Sequence, residues 1–174
     1  MESLTYDQAR NIIQDGDVVF FQGIYSWKHP IDSLIMFVTG SPFVHCNIAF
    51  WVEVGGQKRL MAVEAQGATK RRIVNESFYN DKNMVVIAAP VAWDTIANAA
   101  LEKVAVTKYG YLAAIYAGIR DLSVRTLGVR LPNTNPPGEI CSEFVAKLVG
   151  LEDADISPGD LYFLLLKVSK VRTL

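Results

Sequence analysis

The sequence predicts an α+β fold in which helices are segregated from a run of antiparallel strands, and three observations lead there. VHCNIAFWVEV and QKRLMAVEAQG are β-rich runs flanking Gly55-Gly56, the mark of a hairpin whose turn needs positive φ. VVFFQG and MVVIAAP are two further short runs of β-branched, aromatic and aliphatic residues bounded by turn formers. The helical stretches do not alternate regularly with these strands, as a parallel sheet would require.

Taken in order, LTYDQARNIIQDGD opens with a short helix that places Leu4, Ala9, Ile12 and Ile13 on one side, and Gly16 stops it. VVFFQG follows as a buried strand. HPIDSLIMFVTGSP is a helix with Pro30 near its first turn and an end at Gly40 and Pro42. After the hairpin and the MVVIAAP strand come two helical stretches, DTIANAALEKVAVTKYG and YLAAIYAGIRDL, broken at Tyr109-Gly110. LPNTNPPG is neither helix nor central strand, because its three prolines delete donors and fix φ. EICSEFVAKLVG carries Ile140, Phe144, Val145 and Leu148 at helical spacing and ends at Gly150. SPGDLYFLLLKV closes as a turn and a short helix or strand.

With 174 residues, 51% apolar and 20% charged, the chain reads as one domain, residues 1–174, able to bury a core without metal or disulfide help. A net charge of −1 without a basic stripe gives nucleic acid no electrostatic footprint. The one cluster, Lys70-Arg71-Arg72, reads as a solvated strand end. Two cysteines make no disulfide framework, and without CxxC or paired histidines no metal site is expected. No glycine-rich phosphate or dinucleotide loop is present, so no cofactor is expected. The first residues lack a cationic stretch followed by an apolar run, and SLIMFV and LYFLLL fall far short of the ~20 residues that span a bilayer. The expected location is cytoplasmic, or one reached without an encoded signal. Composition does not indicate an oligomeric state.

Cys141 falls within the first turn of a helix that follows Pro-Pro-Gly. Free N–H groups and the helix dipole there favour a thiolate, and the same groups can hold an oxyanion once a carbonyl is attacked. Taken alone, Cys141 reads first as a small hydrophobe beside Phe144 and Val145. His45 alters that reading. Strand alternation puts Val44, Cys46, Ile48 and Phe50 on one apolar face and His45, Asn47 and Ala49 on the other, so Cys46 reads as inert packing. A two-residue loop at Gly55-Gly56 sets Asn47 opposite Glu64 and His45 opposite Gln66, with Glu64 diagonal to His45. Thiol, imidazole and carboxylate form a nucleophile, base and orienting group. His29, before Pro30 at a helix entrance, reads as a capping or surface residue.

These residues resemble the NlpC-type papain-like amidases. GDVVFF and VHCNIAFWV are similar to the Gly-Asp strand and the His-bearing strand of that group. The cysteine helix, ICSEFVAKLVG, comes after that strand rather than before it, as in the circularly permuted YiiX-like branch. Thr39-Gly40-Ser41, Glu64-Ala65 and Cys141-Ser142-Glu143 match further short motifs of the branch, over about residues 15 to 150. The resemblance implies a permuted papain-like sheet packed against helices and a Cys141–His45–Glu64 triad. It also implies amide cleavage, typically in cell-wall-type peptides, or acyl transfer on lipids as in lecithin:retinol acyltransferase-like relatives. Asp17 matches the Gly-Asp aspartate and reads as structural. Tyr109 and Tyr111 fall where relatives carry a tyrosine near the site and, with Asn47, are the candidate substrate-binding residues.

The leading expectation is a thiol-dependent amidase or peptidase acting on a peptide or acyl-amide through an acyl-enzyme on Cys141. The alternatives are lipid thioester or ester chemistry with the same three residues, with a membrane or lipid contact left open, and a non-catalytic binding or assembly module on this fold.

Overall fold

The computed structural model describes residues 3–66, 68–73, 83–102, 111–129, 131–132, 140–151 and 156–173. Helix α1 (Tyr6–Ile12) is opened by a reciprocal cap: the Thr5 side chain accepts from the Gln8 amide, and Gln8 accepts from the Thr5 amide at 2.9 Å. It ends before Gly16, because Ile13 is already extended and the Gln14 amide donates to Asp17 at 2.8 Å. Strand β1 (Val18–Gln22) then leads to α2 (Pro30–Thr39), which ends at Gly40 in the left-handed conformation, φ 66°. His29 sits at the N-cap of α2 without a side-chain capping bond.

The hairpin forms as its glycines require. Strands β2 (Phe43–Val54) and β3 (Gln57–Gln66) turn through Gly55 and Gly56 at φ 59° and 73°, values suited to a two-residue hairpin turn. Their antiparallel ladder runs from Val54/Gln57 to Ile48/Val63, which is the register expected from that turn. Strands β4 (Ala68–Ile73) and β5 (Met84–Ile87) complete a five-stranded antiparallel sheet of order β4-β3-β2-β1-β5. Strand β4 was not anticipated as a separate element, because ATKRRI lacks apolar alternation. It lies at one edge of the sheet, paired only with β3. At the other edge, the C-terminal tail bridges Val171 to Ile87, and Arg172 N donates to Val86 O at 2.9 Å.

The remaining helices are α3 (Trp93–Glu102), α4 (Tyr111–Leu127), α5 (Cys141–Leu148) and α6 (Pro158–Val168). The last segment, open between helix and strand from its sequence, is a helix. Ser157 and Asp160 cap one another, and Pro158 takes a first-turn place where its missing N–H costs nothing. Gly159 is needed there, because a Cβ would lie 2.4 Å from the Ser41 hydroxyl.

Cores form on both faces of the sheet. Val18, Phe20, Cys46, Ile48 and Val63 pack against Phe144 and Val145 of α5 and Leu161 and Leu165 of α6. Val19, Phe21, Ala49, Ala62 and Val86 face Leu4, Tyr6 and Ala9 around α1. Each large side chain buried this way contributes about 1.5–3 kcal/mol. Asp17, 1% exposed, ties the start of β1 to the C-terminal tail by accepting from Arg172 Nε at 2.6 Å and Nη2 at 2.9 Å. Burial nonetheless pushes its carboxyl above the ordinary value, against the pull of Arg172 and the Gln14 amide. Among the described residues, no helix is long and apolar enough to cross a membrane.

Candidate active site

Alternation along β2 turns His45 to the α1 side of the sheet and Cys46 to the α5 side. His45 pairs in register with Phe21 of β1, and the two rings stack with centroids 5.7 Å apart at 28°. Its Nε2 lies 2.8 Å from Oε2 of Glu64, a carboxylate with no exposed surface. The diagonal relation expected from the Gly55-Gly56 turn is therefore the one the side chains make. Where the β2–β3 ladder stops at Ile48/Val63, residues Glu64, Ala65 and Gln66 go on to pair with Lys70, Thr69 and Ala68 of β4.

Helix α5 packs across β2 and β3, and Cys141 is its first residue. Two bonds fix this helix start. Ser142, fully buried, donates to Ile156 O at 2.6 Å, and the Ile140 amide donates to Glu143 Oε2 at 3.2 Å. Ile140, at the N-cap, makes no side-chain capping bond. From this position Cys141, 6% exposed, lies in the same buried cluster as Cys46 and near enough to the His45 ring for each to shift the other's protonation.

Cys46 is fully buried in the main core cluster, as expected of a packing residue, and Cys141 belongs to the same cluster. Alternation along β2 gives its orientation away from His45 but not which helix covers its face.

The charges follow from these contacts. The hydrogen bond from Cys46 holds the Cys141 thiol well below its ordinary 9.0 despite burial, aided by the charge and hydrogen bond of His45 and by the Cys46 N–H. Burial pulls the His45 ring down, but the Cys141 sulfur and the Glu64 carboxylate together carry it from 6.5 up to about 9. Burial, and donation to Cys141, push the Cys46 thiol well above 9.0. These directions make Cys141 the thiol that gives up its proton more readily and His45 the ring that holds one.

The other candidate residues are not brought to this place. Asn47, 1% exposed, is enclosed with Tyr6, Phe21 and Leu60 between the sheet and α1, closed to a substrate arriving from solvent. Alternation along β2 gives the face Asn47 occupies, but not that α1 covers that face. Tyr109 lies outside the described residues, and Tyr111 begins α4 with its side chain outside them. His29 stays at the entrance to α2. A groove of about 720 Å³ is lined by residues 11–14, 88–90 and 168–173, none of them part of the Cys141 cluster. No protein-family model and no curated protein matches the chain.

Proposed function

We propose that the chain is a cysteine hydrolase that cleaves an amide bond, in a peptidoglycan-type peptide or similar acyl-amide, through an acyl-enzyme on Cys141. We place it on a circularly permuted NlpC-type papain-like fold. The observation that carries this reading is the convergence of a helix-terminal thiol, an imidazole and a buried carboxylate, with His45 Nε2 2.8 Å from Glu64. The strand order and the position of the cysteine helix after the His strand support the fold.

With Nε2 held by Glu64, Nδ1 is the ring nitrogen left to exchange a proton with Cys141. The thiolate attacks the carbonyl carbon, the C=O π pair moves to oxygen, and N–H groups in the first turn of α5 stabilise the oxyanion. As the tetrahedral species collapses, the C–N bond breaks and the imidazolium gives its proton to the leaving amine. The neutral ring then takes a proton from water, whose oxygen attacks the thioester and releases acid and thiolate. Glu64 keeps the ring oriented and favours its charged form throughout.

A second reading, ester or thioester chemistry on a lipid with the same residues, is favoured by one observation. On α2 and just before it, Trp27, Ile31, Leu34 and Phe37 are 87%, 70%, 62% and 62% exposed. Intact-mass analysis during turnover of a panel of peptide amides and acyl-chain esters separates the readings. An acyl adduct on Cys141 from amides, with turnover abolished in folded Cys141→Ala, supports the amidase. Adducts from acyl-chain esters alone support the lipid reading. No adduct from either, with Cys141 and Cys46 labelled by iodoacetamide at one ordinary rate, contradicts both.

A further inference from the structure

We propose that Phe21 is a positioning residue for His45: its ring, stacked on the imidazole, fixes the plane in which that ring meets Cys141. The inference rests on the reading of His45 as the base for Cys141 and deepens it.

A histidine ring turns easily about its last side-chain bond, whose torsion has only broad, two-fold preferences. Nε2 lies closer to the axis of that turn than Nδ1 does. Turning the ring therefore moves Nδ1 further than Nε2, and the 2.8 Å contact with Glu64 alone does not fix where Nδ1 points. Phe21 supplies the second restraint. The β1–β2 ladder pairs it directly with His45, so the two side chains leave the sheet on one face. Their centroids are 5.7 Å apart and their planes 28° apart, within the range of offset-stacked aromatic pairs. Phe21 is itself held, being 2% exposed in the α1-side core and paired with Met84 on its other flank. An edge contact from Glu64 and a face contact from Phe21 together define the plane of the imidazole. The negative face of a phenyl ring also favours a cation, so the same stack helps the imidazole take the thiol proton.

The strand is shaped around this contact. After Phe21 and His45, the next pair is Gln22 and Phe43, so Val44 is an extra residue in β2, a bulge immediately beside His45. Uninterrupted alternation would put Phe43 on the His45 face. Phe43 instead belongs to the opposite core, where its ring packs against Phe20 and Tyr162. The imidazole keeps Phe21 on its face, and the His45 side chain keeps 14% exposure.

Phe21→Leu retains apolar bulk without the ring, and Phe21→Tyr retains the ring. The titratable groups acting on His45 are Cys141 from α5 and Glu64 from β3, and neither variant alters them. Two quantities are measured in wild type and both variants: the midpoint of the His45 ring by NMR, and the rate of Cys141 alkylation by iodoacetamide against pH. Phe21→Leu lowers the His45 midpoint by about one pH unit and slows alkylation at neutral pH several-fold, while Phe21→Tyr restores both. A raised wild-type midpoint left unchanged in folded Phe21→Leu overturns the role of Phe21 and leaves the reading of His45 and Cys141 standing. An ordinary wild-type midpoint near 6.5, unmoved by Cys141→Ala, removes that reading and the role of Phe21 with it. If Phe21→Leu does not fold, the unaltered protein decides. In a chain of two histidines, the His45 ring protons should lie upfield of those of His29 and show cross-relaxation with the Phe21 ring. Ring protons at ordinary positions, without that cross-relaxation, contradict the stack.

Discussion

Helices α5 and α6 share one core, yet their first turns are built in opposite ways. At α6 the Ser157 hydroxyl accepts from the Asp160 amide at 3.2 Å, and the Asp160 carboxylate accepts from the Ser157 amide at 3.3 Å. At α5 the N-cap is Ile140, which has no side-chain oxygen; Glu143 reaches back to it at 3.2 Å, but nothing on Ile140 can return the bond. A side-chain cap contributes about 1 kcal/mol. The chain has that stabilisation at α6, and at α1 through Thr5, and goes without it where Cys141 begins the helix. The contrast teaches that Cys141 begins a helix whose N-cap side chain offers its first-turn amides no acceptor, a feature α5 shares with α2 but not with α1 or α6.

The largest test of this contrast removes the other partner of the sulfur. In His45→Ala, amide turnover falls by about 10²–10⁴-fold, read as kcat/KM with folding checked by circular dichroism. A smaller effect comes from Ile140→Thr, which gives α5 a capping hydroxyl. That oxygen competes for first-turn amides and slows alkylation of Cys141 at neutral pH several-fold. The variant is also less stable rather than more. Ile140 is only 6% exposed, and losing its burial costs about 2 kcal/mol against about 1 kcal/mol gained from a cap. Urea unfolding measures that balance. The smallest effect belongs to Ser157→Ala, which lowers stability by about 1 kcal/mol in the same assay and leaves the pH profile of Cys141 unchanged.

The part of the site legible in the sequence is the part governed by local geometry. Gly55-Gly56 fixes a hairpin register, the register fixes faces, and the faces bring Glu64 to His45. The helical start at Cys141 was legible from the spacing of Ile140, Phe144, Val145 and Leu148. What alternation cannot tell is which helix covers a face. Asn47 therefore reads as a substrate-facing residue when α1 encloses it. The run LYFLLL was ambiguous because an uninterrupted apolar stretch has no period. Phe163 is 62% exposed, while Leu161, Tyr162 and Leu165 are buried. Strand β4 was missed for the converse reason, since an edge strand rich in cations has no apolar face to read.

Flanked by Cys141 and Glu64, the His45 ring should carry its charge through neutral pH. Its folded-state pKa of about 9 lies above the ordinary 6.5, so the stability it supplies is complete below about 6.5 and fades as pH rises through about 9. The direct measurement is an NMR titration of the His45 ring in a His29→Gln background, where it is the sole histidine signal. The ring should remain an imidazolium through neutrality with a midpoint near 9, and Cys141→Ala should lower that midpoint. A midpoint near 6.5 that is indifferent to Cys141→Ala would contradict the account.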